Sequence, residues 1–362
     1  MRQRLDLFAA ILIGVVFFSL MPWSRMLSAR NDFVHFYIGG QLFGHPGIFS
    51  PEVNYAKQRE LIGATMEHSF FGRPAFYGFF LKPLTLLPYM QAYWVFQLGS
   101  LASLFVFIKL NAQRFPKLLL LCIMSPALAA NFVNGQDVLY LLLFCSISLA
   151  CAERGWDFAA GLVLSLCAIK AHLFLPVPLA VVLWKRWRIL AGGAIGGSVL
   201  GLISLAGGGL AAQLELMKQL GNPEHSPYPD LMPSLRSLTG DHHEVFWVAA
   251  IAVLAAVAFL MRRAQSYEAA FGWALIGGVL ASYHAYVQDC LLILLALVLI
   301  HAELSKAANV LLTVAVLPFI YIPLAAGYPY SAIFPVVLLV CLASQLIHAV
   351  RPRAPMPAMA QA

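Results

Sequence analysis

Four short stretches carry side chains able to move a proton or hold an anion, and each sits against an apolar run. They are "NDFVH" with Asp32 and His35, "NGQD" with Asn134, Gln136 and Asp137, "IKAH" with Lys170 and His172, and "YHAYVQD" with His284 and Asp289. On a helix over residues 30–42, Asp32, His35 and Gly39 share one face by three- and four-residue spacing, while Phe33, Phe36 and Tyr37 share another. A carboxylate and an imidazole turned toward a cavity suit general base chemistry. The competing reading of Asp32 is a helix cap or a surface salt bridge.

Lys170 stands between two apolar runs with no acidic neighbour in sequence. A cation so placed, with His172 beside it, can hold a phosphate as a point charge, or else can snorkel to the surface. His284 and Asp289 are five residues apart, which diverges on a helix and suits a shared metal poorly. His284 reads as a donor to a phosphate oxygen or as a group orienting a hydroxyl. Asp289 reads as a helix cap. "NGQD" is a tight turn by its Asn-Gly pair, with Gln136 and Asn134 available to a cavity. The six cysteines show no ligand spacing and serve as small core fillers. No metal motif is present, and no cofactor is called for.

The elements that carry these groups are membrane helices. Of 362 residues, 61% are hydrophobic and only 11% charged. That balance excludes a soluble domain and indicates an all-α polytopic membrane protein. Its +7 charge is scattered over short loops and does not speak for nucleic acid. Apolar runs and their breakers predict about twelve transmembrane helices. The runs over 117–152 and 157–184 read as tight hairpins whose tips stop short of the far surface. The apolar N-terminus reads as an uncleaved anchor, because "LSA" is a poor cleavage site. Residues 73–88 are taken as re-entrant or interfacial, because a full span there would invert every later loop.

With the N-terminus inside, Arg2, Arg4, Lys109, Lys185, Arg262 and Arg351 all fall on the inner side, where basic residues gather. All four chemical stretches then fall on the outer, periplasmic side of the plasma membrane. The outer loops 24–72 and 210–244 are long. One transmembrane domain spans 1–350, and a disordered cytoplasmic tail covers 351–362.

Several blocks, in order, carry a family resemblance. "NDFVHFYIGGQLFGHPGIFSP", "FGRPAFYGFFLKPLTLLPYMQAYWVFQL", "NGQDVLYLLLF", "GLVLSLCAIKAHLFLPVPLAVVLWKRW" and "SYHAYVQDCLLIL" together resemble glycosyltransferase family 87, a GT-C superfamily group. Phe49 and Ala75 depart from the family pattern, at positions where a tyrosine and a proline are common. The resemblance implies a GT-C-type bundle with a long first outer loop. It also implies transfer of a hexose, mannose in the family, from a polyprenyl-phosphate sugar to a glycolipid or glycan acceptor. Asp32 inherits the catalytic role and His284 a place in the site; Lys170 and His172 inherit the donor phosphate. His35, Asn134, Gln136 and Asp289 would line the substrate cavity.

Direct displacement with one carboxylate as base predicts inversion. The rival class is a secondary transporter or lipid flippase. Such proteins place polar groups near the midplane and show two related halves, whereas here the polar groups share one face and no halves are evident. A noncatalytic membrane assembly subunit is a third reading.

Overall fold

The computed structural model describes residues 2–66, 69–222 and 228–350. The chain is 77% helix, with no strand among the described residues. A bilayer demands this, since backbone groups there must be satisfied within their own segment. Five helices are long and apolar enough to cross: Tyr89–Asn111, Asp157–Phe174, Trp187–Ala206, His243–Arg263 and Tyr330–Val350. A pair bent by 69°, Lys306–Val316 with Pro318–Ala326, makes a sixth if it counts as one span. The protein is therefore multi-pass, with five to six candidate spans of full length where about twelve were expected.

The difference lies in short and broken elements. The run over 117–133 divides into Leu118–Ile123 and Pro126–Val133, because Ser125 caps a new helix through the Leu128 amide and Pro126 begins it. Leu291–Ile300 has ten residues and rises only about 15 Å, half a hydrocarbon core. It is also buried on every side, as Tyr267–Leu280 nearly is. These two form the centre of the bundle and meet protein rather than lipid.

Close helix packing rests on glycine. A Cβ at Gly161 would stand 2.0 Å from the Ile189 carbonyl oxygen, and one at Gly192 would stand 2.1 Å from that of Phe158. Small residues let these two backbones meet, which is the main source of helix association in lipid. Likewise a Cβ at Gly278 would fall 1.8 Å from the Leu173 carbonyl oxygen. That approach brings the central helix onto the segment that carries Lys170. There the helix from Asp157 breaks, with Lys170 at φ −128° and ψ 58°.

The long loop over 24–72 is structured. It contains the helices Phe33–Gln41 and Pro51–Ile62, the latter capped by the Ser50 side chain on the Val53 amide. Residues 73–88 form a seven-residue helix, Ala75–Leu81, and a short turn, Lys82–Leu86. Neither is long enough to span. Gly78 packs against Gly39, where an added Cβ would lie 2.6 Å from the Gly39 oxygen. The long loop over 210–244 holds most of the helix Gly209–Leu220 and a single helical turn, Arg236–Thr239. The 351–362 tail, expected to be disordered, lies outside the described residues.

Candidate active site

The Asn-Gly turn clasps the Asn31–Asp32 dipeptide. Asp32 donates its backbone N–H to the Asn134 oxygen at 3.0 Å, and Asn31 Nδ2 donates to the Val133 oxygen at 3.0 Å. Asn31 Nδ2 also reaches Tyr93 Oη at 3.1 Å. Gly135 makes this docking possible with φ +59°, and a Cβ there would come 2.5 Å from Asn31 Oδ1. Gly135→Ala is therefore expected to cost about 1–3 kcal/mol from the backbone alone and to push Asp32 out of register. A lowered melting temperature together with lost turnover would bear this out; wild-type values for both would refute it.

From that clasp a chain of polar contacts runs into the bundle. Gln136 Nε2 donates to Asp32 Oδ2, while its Oε1 accepts from Lys170 Nζ at 3.2 Å. The two contacts fix which way the amide faces. Lys170 Nζ also pairs with Asp289 Oδ1 at 2.7 Å and Asp137 Oδ1 at 3.3 Å. Asp137 Oδ2 takes Arg73 Nε at 2.9 Å, and the Arg73 guanidinium lies 5.6 Å over the Phe36 ring. Asp289 Oδ2 accepts the Tyr286 amide at 2.8 Å, so this residue caps its turn and pairs with Lys170 at once.

The charges balance unevenly. Asp137, Asp289 and Lys170 are 0%, 2% and 4% exposed, whereas Asp32 is only half-buried. Lys170 has two carboxylate neighbours in space, although it has none in sequence. Its ammonium donates to Gln136 Oε1 and Asp289 Oδ1 and lies in ion-pair range of Asp137 Oδ1. Among the described residues Asp32 has no cationic partner.

His35 lies one turn after Asp32, as the spacing predicts. Its Nδ1 faces Gln58 Nε2 at 3.3 Å, which leaves Nε2 to carry the proton. Burial lowers its pKa to about 4, with Arg73 adding to that effect and Asp32 opposing it. A depressed histidine stabilises the fold fully above its unfolded pKa near 6.5, and that contribution fades as pH falls toward 4. Unfolding temperatures should accordingly drop across that window, and His35→Gln should flatten the drop; an equal slope in the variant would contradict it.

His172 and His284 meet edge to face, ring centroids 6.2 Å apart. Burial holds the His284 imidazole well below its usual range, helped by His172, Arg73, Lys170 and Arg236. His284 is thus a neutral donor or acceptor at working pH. His35 Nε2, Tyr77 Oη, His172 Nε2 and Arg236 Nη1 are buried without a hydrogen-bond partner among the described residues. Such atoms suit a polyhydroxylated or anionic ligand.

Four residues of this region carry roles that their sequence setting did not suggest. Asp137 looked like part of a turn, Arg73 and Tyr77 were hidden in an apolar block, and Arg236 in an outer loop. Among the described residues no three His, Cys, Asp or Glu side chains converge as a metal set. Two shallow hollows, about 400 Å3 beside Ser305 and His348 and about 310 Å3 beside Trp184 and Arg262, lie at the other end of the helices. The His243–Arg263 helix makes this plain, since it starts with His243 against Tyr283, 2.9 Å apart, and finishes at Arg262 and Arg263.

No curated protein and no solved structure matches the chain. The model of glycosyltransferase family 87 does match, over residues 71–286. The matched region takes in Arg73, the Asn-Gly turn, Lys170, His172 and His284, and it begins after Asp32 and ends before Asp289. It covers more than half of the chain, whose helices cross a membrane several times and gather these polar groups at one end of the bundle. The chain belongs to glycosyltransferase family 87.

Proposed function

We propose that this membrane enzyme transfers a hexose, mannose on the family resemblance, from a polyprenyl-phosphate sugar to a glycolipid or glycan acceptor, with Asp32 as general base. The observation that carries the reading is the contrast among the three carboxylates. Asp137 and Asp289 are buried and paired with cations, whereas Asp32 is half-exposed and has no cation beside it among the described residues. Gln136 occupies Oδ2, which leaves Oδ1 to meet an acceptor hydroxyl.

The acceptor proton passes to Asp32 as its oxygen bonds to the anomeric carbon. The bond from that carbon to the phosphate oxygen breaks on the opposite face, and polyprenyl phosphate leaves with the electron pair. This single displacement inverts the anomeric centre. His172 and His284, whose rings meet edge to face, are the neutral groups that serve the departing phosphate. Lys170, paired with Asp289 and Asp137, acts instead on Gln136 and through it on the base. His35 and Asn134 belong to the acceptor side of the site, around Asp32.

A single membrane domain over 1–350 would carry the whole activity. The basic ends of the helices lie away from the site, which by the positive-inside tendency supports an outer, periplasmic position at the plasma membrane. Membership of a glycosyltransferase family disfavours transport.

The test incubates the purified full chain with labelled polyprenyl-phosphate-mannose and a membrane lipid extract. A labelled product of inverted anomeric configuration is expected. Transfer from a nucleotide sugar alone would remove the donor assignment, and a retained configuration would remove the single-base mechanism.

A further inference from the structure

We infer that Arg236 is the cation that receives the donor's phosphate, which rests on the reading of a phosphate-linked donor given above. As the glycosidic bond breaks, the phosphate gains negative charge. The cluster around Asp32 has little to offer it, because Lys170 and Arg73 are taken up by Asp137 and Asp289.

Arg236 is differently placed. It is 2% exposed, and its Nε donates to the Gly240 oxygen at 2.9 Å. Its one carboxylate neighbour among the described residues is Asp241, 3.5 Å from Nη2 and itself 90% exposed, so that pair is weak and screened by water. Nη1 has no partner among the described residues. The guanidinium stacks 3.9 Å over the Tyr283 ring, and the Leu235 amide bonds the Leu280 oxygen at 3.0 Å. Both contacts fasten Arg236 to the strand of chain that leads into His284. Its positive charge acts on His284 and on Tyr286, and Asp32 and Asp289 act on that same tyrosine.

Arg236 keeps part of its fork unpaired among the described residues while it stacks on Tyr283, the residue before His284, and a fork that can meet two phosphate oxygens binds better than a point charge.

The experiment titrates the detergent-solubilised full chain with polyprenyl phosphate and, separately, with the uncharged polyprenol, following binding by native mass spectrometry. The wild type is expected to prefer the phosphate by about tenfold or more. Arg236→Gln should lose most of that preference. Arg236→Lys keeps a cation over Tyr283, and so the fold, and should lose about threefold. Melting temperatures identify the folded variants. A preference unchanged in either folded variant overturns the role of Arg236 and leaves the donor reading standing. A wild type without preference overturns both.

Discussion

Asp32→Asn is expected to lower turnover by about 10²–10⁴-fold while the protein folds and melts as the wild type does. Asparagine keeps the shape of the side chain, and its carbonyl oxygen still accepts from Gln136 Nε2. The backbone bond from residue 32 to Asn134 is untouched. What disappears is the ability to take a proton, so the loss should fall on kcat and leave the donor's KM near its original value. The same change at Asp137 or Asp289 makes a useful contrast. Those carboxylates balance Arg73 and Lys170 in the interior, so their amides should unsettle the fold before they affect chemistry. Turnover of Asp32→Asn close to wild type, measured on the labelled donor, would rule out this residue as the base.

Lys170→Met should be the most damaging single change to stability, by about 3–5 kcal/mol. It removes the ammonium between Asp137 and Asp289, and the second of these then has no cation within reach among the described residues. An uncompensated buried carboxylate costs more than the pair was worth, so neutralising that partner should repair much of the harm. Lys170→Met combined with Asp289→Asn is therefore expected to be more stable than Lys170→Met alone, a coupling that thermal unfolding in detergent would read. A Lys170→Met protein of ordinary stability, with only a raised KM for the donor, would return the lysine to direct phosphate contact.

The membrane class, the clustering of polar groups at one end and the helix bearing His35 were all legible in the sequence. Each depends on local pattern: apolar runs, breakers, and three- and four-residue spacing. The Asn-Gly turn was legible too, but its partner was not. Nothing in "NGQD" says that it docks on Asn31, because that depends on Gly135 yielding room to a side chain far away in sequence. Lys170 shows the same limit. Its acidic neighbours lie 119 residues later and in the turn before it, so a cation that looked unpaired is in fact shared. Arg236 was hidden because a loop arginine normally faces water. The span count was hard to read for a different reason. Helices at the centre of the bundle meet protein instead of lipid, and their length is no longer set by bilayer thickness.

The clasp of the Asn-Gly turn on Asn31–Asp32, and the shared lysine behind it, have a consequence for biosynthesis. Side chains at 32, 73, 136, 137, 170 and 289 meet in a single cluster, drawn from widely separated parts of the polypeptide. A nascent chain released from the ribosome before its late loop is inserted would expose Lys170 and Asp137 without their third member. The cluster would then be completed in one step, when the late loop is in place.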